Sequence, residues 1–476
     1  MQVNFHVVAL LCMASTAIAQ TPVGASLTAA RSEDGNYISW KEHVIDDPVT
    51  AGFALSGSDG LVIGDIDKDG FVDIVSVHES DSEYDSSEYD PDFIPDGAGH
   101  VRIAFGSANP EQWVNITLAE GADAPAPEDV DIGDVNGDGY LDVIVAAELS
   151  HLIYLQNPAT NIRSTAWPRL ILPMTREQGS YIRVFLADLN GDGRLEATAP
   201  NKGAQRPGPE DFARSTPVSI FAFTGDPLVD ASWQEIVLGR FSVPQNAEPV
   251  DIDADGDMDI LVGTRGEQRL ALFENLGTGM LEDGFREHAI GIYGARAAGF
   301  NLEYADLNND GRLDIISATE RGLSWLEQPE LIDDAWNAHF IGTFAPDTET
   351  GMEIADINGD GLPDVFLGSY SGGSREDEDA VDVDDELGRL GWFENPGASQ
   401  SPWIPHDVSR RKRGMFDKFI ARDMDQDGDI DFIGTRGNSA PFDGVFWLEQ
   451  VRTASAIANF QPARSNESEE MALPAR

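Results

Sequence analysis

Cysteine, long apolar runs and positive charge are all scarce in this sequence. Cys12 is the only cysteine, so a chain cleaved after residue 19 would have none and would form no disulfide. Beyond residue 19, no stretch approaches the roughly 20 apolar residues that span a membrane. The 84 acidic residues outnumber the 31 basic ones, for a formal charge of −53. A surface of that sign repels nucleic acids and anionic membranes, which argues against both as partners.

The N-terminus has the pattern of a secretion signal. Val7 to Met13 is an apolar stretch, and the small residues after it end in Ala17-Ile18-Ala19, which fits an A-x-A cleavage site. We therefore expect a secreted protein, extracellular or periplasmic, that is cleaved near Ala19. An exported protein without disulfides must be held together by its core or by bound metals. The distribution of the acidic residues favours metals.

A nine-residue acidic pattern occurs seven times. Its first copy is Asp65-Ile-Asp67-Lys-Asp69-Gly70-Phe-Val-Asp73, an example of Asp-x-Asp/Asn-x-Asp-Gly-x-x-Asp/Glu. The other copies begin at Asp134, Asp188, Asp251, Asp306, Asp356 and Asp423, at intervals of 50 to 69 residues. Self-similarity on this scale is typical of a repeat architecture.

Apolar runs surround each acidic loop and predict strands. Leu61-Val62-Ile63 precedes the first loop and Ile74-Val75 follows it, and two such runs around a Gly-containing loop predict a β-hairpin. A third apolar run follows in each copy, for example Trp392-Phe393. A fourth element has an aromatic residue with apolar or His residues three and five positions later, a spacing that predicts a bulged outer strand. Its seven copies start at Trp40, Trp113, Trp167, Trp233, Phe285, Trp336 and Trp403.

Four strands in each of seven repeats predict an all-β fold. We expect a seven-bladed β-propeller of four-stranded antiparallel blades over residues 38–451. The first aromatic element precedes every acidic loop, and nothing like it follows the third strand of the last repeat. Residues 38–45 should therefore form the outer strand of the blade that begins at Asp423, which closes the ring and removes an exposed edge. Residues 20–37 are predicted to be an N-terminal linker and residues 452–476 a disordered C-terminal tail, in a monomer.

The seven acidic loops are predicted to bind calcium. Positions 1, 3, 5 and 9 offer side-chain oxygens, position 7 offers a carbonyl, and Gly at position 6 permits a sharp turn. Ca²⁺ takes about six to eight oxygens in irregular geometry, and acids this close repel one another without a cation, so we expect up to seven structural Ca²⁺ ions. The predicted metal ligands are Asp65, Asp67, Asp69, Asp73, Asp134, Asn136, Asp138, Asp142, Asp188, Asn190, Asp192, Glu196, Asp251, Asp253, Asp255, Asp259, Asp306, Asn308, Asp310, Asp314, Asp356, Asn358, Asp360, Asp364, Asp423, Asp425, Asp427 and Asp431.

These loops resemble those of the FG-GAP and VCBS repeat families, which include the cation-binding hairpins of integrin α-subunit propellers. The resemblance covers residues 38–451 through the seven loops and the strands around them. It implies a propeller whose calcium stiffens each blade and takes no part in chemistry. Unlike integrins, this sequence has a loop in all seven blades and no transmembrane anchor, so adhesion does not follow from the resemblance.

The face opposite the acidic loops is expected to carry any binding site. Long insertions follow the second strands at 78–100, 200–216 and 369–388, and should rise on that face. The candidate ligand-binding residues there are His78, Tyr181, Arg183, Arg206, Tyr293, Arg296, Arg411, Arg413 and Lys418. Their basic character, with the run 410–413, suggests an acidic saccharide as ligand, or alternatively neutralisation of acidic neighbours.

Histidines recur in the fourth element of four repeats. They take a position that is apolar in other repeats, one in each blade, and equivalent positions on outer strands do not meet at one metal. A structural role is therefore predicted for His43, His288, His339 and His406, and only His78 is nominated for chemistry.

Two functions remain open. The first is a secreted calcium-binding scaffold that presents loops to a glycan or an extracellular protein. The second is a carbohydrate lyase or dehydratase with its site on the face opposite the calcium loops. The resemblance implies this second function, because VCBS-type propellers form part of fungal aldos-2-ulose dehydratases and other calcium propellers are polysaccharide lyases. The sequence has no nucleophile motif, Gly-rich phosphate loop or His/Glu zinc spacing, so no catalytic residue is assigned.

Overall fold

The computed structural model describes residues 20–79, 99–164, 166–371, 381–397 and 402–475. The predicted signal, residues 1–19, lies outside these ranges. Strands are the main element, and no helix in the described ranges is long and apolar enough to cross a membrane. The helices are single turns, α1 (Pro48–Ala51) and α2 (Pro209–Phe212), with 3₁₀ turns at Gly121–Asp123 and Asp230–Ser232.

Seven sheets, each with four antiparallel blade strands, form a ring, as the sequence predicts. The first strand in the chain is β1 (Tyr37–Asp46), which belongs to the last blade. Blades 1 and 2 are β2 (Ser58–Gly64), β3 (Asp73–His78), β4 (His100–Phe105), β5 (Val114–Glu120), and β6 (Pro127–Gly133), β7 (Asp142–Ala147), β8 (His151–Leu155), β9 (Arg169–Ile171). Blades 3 and 4 are β10 (Phe185–Ala187), β11 (Glu196–Pro200), β12 (Thr216–Phe223), β13 (Trp233–Phe241), and β14 (Pro244–Val250), β15 (Asp259–Thr264), β16 (Arg269–Asn275), β17 (Phe285–Ile290).

The remaining blades carry two extra edge strands. Blade 5 has β18 (Ile292–Tyr293) at its outer edge, followed in the chain by β19 (Ala297–Ala305), β20 (Asp314–Thr319), β21 (Gly322–Glu327) and β22 (Trp336–Gly342). Blade 6 is β23 (Thr348–Ala355), β24 (Asp364–Tyr370), β25 (Gly388–Glu394) and β26 (Ile404–Arg411). Blade 7 is β27 (Phe419–Arg422), β28 (Asp431–Arg436), β29 (Gly444–Thr453) and β1, with β30 (Phe460–Gln461) outside β1.

The core lies between blades. The second strands β3, β7, β15 and β28 are buried along their whole length, because each is covered by a neighbouring blade on both faces. Seven apolar clusters each join side chains of two adjacent blades. Trp336, Trp392 and Trp447 are fully buried in them. Removal of one such ring is expected to cost about 3–5 kcal/mol of stability.

The N-terminal strand closes the ring. Strand β1 pairs antiparallel with β29 from Tyr37 opposite Thr453 to Asp46 opposite Val445, with a bulge near Val44. One apolar cluster then packs β1 and β29 of blade 7 against β2 and β3 of blade 1. This is the predicted closure, and the outer-strand bulge recurs in blades 1, 3, 5 and 6.

A buried ion-pair network holds the closing strand. Glu42 on β1 is fully buried and accepts from Arg411 Nη2 at 2.9 Å and from Arg436 Nη1 at 3.1 Å. Glu467 pairs with the other Arg436 amino group at 3.1 Å. The network therefore joins β1, β26, β28 and the C-terminal segment.

The C-terminal segment differs from the disordered tail that the sequence suggests. Strand β30 pairs parallel with β1, where Trp40 lies opposite Phe460, and Met471 N–H donates to the Arg410 carbonyl at 2.7 Å. The predicted linker, residues 20–37, packs against the same segment, because Val23 N–H donates to the Met471 carbonyl at 2.9 Å. The polar composition of this segment does not predict an ordered structure. The segment is ordered because Phe460 packs beside β1 and because acids such as Glu467 form ion pairs with buried arginines.

Candidate functional site

Each acidic loop connects the first and second strands of one blade in a shared conformation. The position-1 carboxylate accepts from the N–H of the Gly at position 6 at 2.8–3.1 Å in all seven loops. That Gly has φ between +84° and +99°, a left-handed region in which other residues are strained. The predicted turn is therefore formed, and it gathers the side chains of positions 1, 3, 5 and 9.

The position-9 acids are buried at the base of the loops. Six of the seven accept two backbone N–H groups at 2.7–3.2 Å, one from loop position 2 or 3 and one from a residue in the last part of the third strand or just after it. Glu196 instead accepts from Leu189 N–H and from the Asn190 amide, both at 3.0 Å. Burial raises the pKa of these acids, for example that of Asp73 to about 6 and that of Asp431 to about 8. The seven position-9 acids are Asp73, Asp142, Glu196, Asp259, Asp314, Asp364 and Asp431.

The loops fit a hard cation. In three of them, one carboxylate oxygen from each of three acids lies within 4.8 Å of the other two. These groups are Asp65, Asp67 and Asp73; Asp251, Asp253 and Asp255; and Asp423, Asp425 and Asp431. Their donors are all oxygens, the ligands that Ca²⁺ prefers. In the first loop Arg163 already contacts Asp67 at 2.6 Å and Asp69 at 2.9 Å.

The repeat histidines are packing residues. His43, His339 and His406 stack on the third-strand tryptophans with ring centroids 4.2 Å apart. In all four histidines Nε2 contacts a third-strand glutamate at 2.7–2.8 Å. Each pair stays within its own blade, in agreement with the predicted structural role.

A cavity of about 390 Å³ opens on the face opposite the acidic loops. We call it the mouth cavity. Two sets of repeat-equivalent residues line most of it. One set lies six residues before the first Asp of a loop: Glu128, Ile182, Gln245, Phe300, Thr350 and Asp417. The other lies fourteen residues after that Asp: Glu79, Glu148, Lys202, Arg265 and Tyr370. All seven blades therefore contribute to one site, with side chains that vary from blade to blade.

The propeller axis beneath the mouth cavity is strongly charged. Burial disfavours the charged form of Lys418, yet the carboxylates of Glu303, Glu248, Asp129 and Glu353 outweigh that effect and raise its pKa. Burial, and then Glu353, raise the pKa of Glu303 well above its usual range. The space left on the axis is about 20 Å³, enough for about one water molecule. The axis is therefore a packed polar core, and the open space lies above it.

The predicted basic pocket is not formed. Arg411 and Arg413 are 1% and 3% exposed, and Arg411 belongs to the network around Glu42. Arg410 contacts both carboxylate oxygens of Asp347, at 2.7 and 2.8 Å. These side chains neutralise buried acids, the alternative that the sequence left open, because the end of β26 lies under the C-terminal segment.

The other candidate residues are spread over the face. Tyr293 is 73% exposed on β18 at the outer edge of blade 5, and Arg296 is also exposed. Tyr181 is buried against Phe221, and Arg206 is half-buried next to a wall residue of the mouth cavity. The structure thus does not bring these four residues together.

His78 and Arg183 lie in the interior. His78 is fully buried between Ser58 Oγ at 2.6 Å and Ser76 Oγ at 3.1 Å, and burial, with Arg102 and His100, lowers its pKa well below the usual range. Arg183 and Lys418 are on the axis, where Arg183 donates to Asp417 at 2.9 Å. Sequence reasoning missed the actual wall residues, although alignment of the repeats on their first Asp would have found both sets.

A model of the FG-GAP-like repeat matches the chain at 134–197, 251–317 and 306–367. These segments contain five of the seven acidic loops and the strands on either side. The chain is a β-propeller that contains FG-GAP-like repeats. Its blades 1 and 7 have the same loop geometry as those that the repeat model matches.

Comparison of the FG-GAP-like propeller with curated proteins finds no significant match. Many solved structures resemble it in outline, among them the following three. A lectin of Agrocybe aegerita, described for its recognition of non-reducing terminal N-acetylglucosamine, is 14% identical with a TM-score of 0.43, covering 83% of this chain and 94% of that one. BBS1N, solved in complex with ARL6DN, is 10% identical with a TM-score of 0.46, covering 90% and 100%. Rhamnogalacturonan lyase YesW is 13% identical with a TM-score of 0.42, covering 96% and 84%. Likenesses this remote assign no ligand or activity to this chain.

Proposed function

We propose that this propeller is a calcium-stabilised binding module that holds a glycan or an extracellular protein group in the mouth cavity. The mouth cavity carries the proposal, because there seven different blades converge on one site with different side chains. The acidic loops, by contrast, repeat one arrangement around the ring. Sites that repeat in every blade are expected to stabilise the fold, whereas one unique concave site with a few polar groups is typical of ligand recognition.

Calcium is the cation that fits the loops. All 28 predicted ligands are described, and the side chains at positions 1, 3, 5 and 9 share one loop conformation. Bound Ca²⁺ would supply the positive charge that brings these oxygens together. Asn and Gln residues at or just after the end of the third strand extend the effect to the neighbouring blade. The Asn275 side-chain amide donates to the Leu189 carbonyl of the preceding loop at 2.9 Å, and the Gln328 side-chain amide donates to the Ile252 carbonyl at 2.9 Å. Calcium would therefore stiffen contacts between blades as well as within them.

The export that the sequence predicts is consistent with the calcium proposal. The signal-like residues 1–19 would direct the chain to a compartment where calcium is abundant, and calcium sites of extracellular modules need only Kd values of about 10⁻⁴ to 10⁻³ M. We therefore place the protein outside the cytoplasm, as a monomer that acts on glycans or proteins there.

A carbohydrate lyase or dehydratase is the second candidate, and Glu128 favours it. This mouth-cavity residue is 9% exposed, and burial, with Glu148, raises its pKa to about 8. A carboxyl group that stays protonated at neutral pH is suited to general acid catalysis. The acidic wall argues against an anionic polysaccharide, and therefore against a lyase, whose elimination removes the acidic proton beside a uronate carboxyl. A dehydratase that removes water from a neutral keto sugar is the form of this candidate that fits. Ultraviolet absorbance of unsaturated products, measured for the protein and for Glu128→Gln, tests this candidate.

Calcium content tests the scaffold part of the proposal. The Asp255→Asn variant keeps the hydrogen bond that position 5 accepts from Asp257 N–H at 2.9 Å but removes one charge from the fourth loop. We expect it to retain about one Ca²⁺ fewer per chain after desalting, as measured by elemental analysis. Chelation should also lower the unfolding temperature of the unmodified protein.

The matched control is Asp283→Asn. Asp283 is an exposed acid in the turn between the third and fourth strands of the same blade, outside the loop. Its replacement should leave the calcium content unchanged. A protein that retains no calcium, or an Asp255→Asn variant that retains as much as the control, would contradict the calcium proposal.

A further inference from the structure

The wall of the mouth cavity has more acids than bases. Its acids are Glu79, Glu128, Glu148, Glu349 and Asp417, and its bases are Lys202 and Arg265. Most of these groups have partners within the protein. Lys202 and Glu148 form a close ion pair, Asp417 accepts from Arg183 at 2.9 Å, and Glu349 accepts from Phe344 N–H at 2.5 Å. Arg265 is exposed at the rim. The cavity is therefore suited to a cationic or neutral ligand and not to an anion.

Glu128 is the exception among these acids. Its side chain makes no hydrogen bond and no ion pair with any described residue, although it is only 9% exposed and faces the cavity. It is held there by the inner strand β6, whose backbone lies against that of β2. A Cβ placed on Gly60 would come within 2.7 Å of the Glu128 carbonyl oxygen, so the glycine permits this approach.

The surroundings of Glu128 are negative. Asp59 and Glu79 each place a carboxylate oxygen within 4.8 Å of a Glu128 oxygen and of each other. Burial is the main cause that raises the pKa of Glu128 to about 8; Glu148 and Asp417 add to it, while Lys202 and Arg183 oppose it. A buried carboxyl group in this position gains most from a cation that reaches it through the cavity.

The remaining wall offers apolar surface. Ile182, Ala298, Phe300 and Met415 line the cavity next to Glu128 and Gln245. Arg183 covers one part of the Phe300 ring, with its Cζ 4.4 Å from the ring centroid, and the ring also lines the cavity. At about 390 Å³ the space is within the range of about 300–1,000 Å³ that holds small organic ligands. A metal ion alone could be coordinated by the carboxylates, but it would make no contact with this apolar wall.

We infer that the mouth cavity binds a small ligand that carries a protonated amine, of the class of sugars with a free amino group, with its ammonium beside Glu128. The carbon skeleton would lie on Phe300, Ile182 and Met415. This inference rests on the proposed function, because it assigns a ligand class to the same cavity. It also replaces the acidic saccharide that the basic run in the sequence suggested.

Titration calorimetry with a matched set of sugars tests the inference. Glucosamine, N-acetylglucosamine and glucose differ at one ring position, which carries an ammonium, a neutral amide or a hydroxyl group. With the calcium-loaded full chain at neutral pH, we expect glucosamine to bind at least tenfold more tightly than the other two. Glu128→Gln should weaken glucosamine binding at least tenfold and leave the weaker binding of glucose nearly unchanged.

Glu177→Gln is the matched control. Glu177 is an exposed acid on the same face, outside the mouth cavity, so the same side-chain change is made there and should leave every affinity unchanged. Circular dichroism and unfolding temperature show whether each variant is folded. Elemental analysis completes the set, because the protein and Glu128→Gln should retain equal amounts of calcium.

The outcomes separate the inference from the proposed function. Equal affinity for glucose and glucosamine, or glucosamine binding that survives Glu128→Gln, would overturn the amine inference and leave a sugar-binding module. One Ca²⁺ fewer in folded Glu128→Gln would mean that an ion occupies the carboxylates, which also overturns the inference. No binding of any of the three sugars would overturn the inference, and no binding across a wider glycan and protein panel would overturn the proposed function as well.

Discussion

At the scale of single residues, Arg163 sets the first acidic loop apart. It comes from the loop between the third and fourth strands of blade 2 and reaches the loop of blade 1, where it pairs with Asp67 and Asp69. The guanidinium of Arg163 offsets part of the negative charge that a bound metal ion would otherwise neutralise. Since the Arg163 side chain is 42% exposed, solvent screens its ion pairs. A metal ion could therefore displace Arg163 with only a small loss of interaction free energy.

Replacement of Arg163 is expected to strengthen calcium binding. In Arg163→Gln the competing charge is lost, and the first loop should bind Ca²⁺ about two- to fivefold more tightly, the range that fits an exposed ion pair. Calcium titration of the chelator-treated protein measures this change. Arg214→Gln, which removes an arginine paired with Asp211 in blade 3 on the opposite face of the propeller, is the control and should have no effect. Unchanged or weaker calcium binding in Arg163→Gln would contradict the prediction.

The local loop pattern was predictable from sequence, and Arg163 was not. Positions 1 to 9 lie in one turn, so the spacing of Asp and Gly is enough to identify the candidate ligands. Arg163 is 94 residues from Asp69 and approaches it only because blade 2 packs on blade 1. No local pattern contains that contact.

At the scale of elements, the closing strand depends on the charge of Glu42. The two arginines beside it outweigh the effect of burial and lower its pKa in the folded protein. A carboxylate with a lowered folded pKa stabilises the fold at pH values above its unfolded pKa, and this contribution is lost as the pH falls through the folded value. The stability that Glu42 supplies is therefore present at neutral pH and absent in acid.

Glu42→Gln tests this dependence. At pH about 7 the variant leaves Arg411 and Arg436 short of one buried counter-charge, so we expect a loss of about 3–5 kcal/mol of unfolding free energy. The difference from the unmodified protein should begin to shrink below about pH 4.3, the ordinary glutamate value, and be lost as the pH falls through the lowered folded pKa of Glu42. Denaturant unfolding at several pH values measures it. Glu177→Gln is the exposed control, and a difference that stays constant with pH would argue against the mechanism.

At this scale, the closure of the ring was predictable because one repeat element at the N-terminus had no repeat of its own. The aromatic element at Trp40 stands before the first loop, and the last repeat lacks such an element, so the pairing of β1 with β29 followed. The docked tail was missed because the contacts of Glu467 with Arg411 and Arg436 bridge distant segments. The mouth cavity could not be predicted from a local pattern, because its wall residues, such as Glu128 and Phe300, are single positions whose side chains differ between repeats.

At the scale of the whole molecule, the proposed calcium ions would offset part of a large negative charge. Seven Ca²⁺ ions would reduce the formal charge from −53 to −39 and place the added charge at the loops, where the acids are closest. Each site filled to about a hundred times its Kd would add about 2.7 kcal/mol to the free energy of unfolding. The stability of the ring is therefore expected to depend strongly on calcium concentration.

Removal of calcium should make the protein sensitive to salt. In chelator we expect the unfolding temperature to fall by at least several degrees. Sodium chloride raised from about 0.05 to 0.5 M should restore part of the loss, because screening shortens the range of the repulsion between acids. Scanning calorimetry at matched ionic strength measures both effects, and calcium should restore far more than magnesium. An unfolding temperature that ignores the chelator would contradict a structural role for calcium.

The pairing of β1 with β29 also means that the ring cannot close until almost the whole chain has been synthesised. Strand β1 is among the first to leave the ribosome, but its partner, residues 444–453, is made about 400 residues later. At about 5–20 residues per second the delay is roughly 20 to 80 s. During that time Ile38 and Trp40 lack the strands of blade 7 against which they pack, and blade 1 lacks its contact with blade 7. A chain that stops before Val445 would therefore carry an unclosed ring, and quality control would have an exposed apolar strand at its N-terminus to recognise.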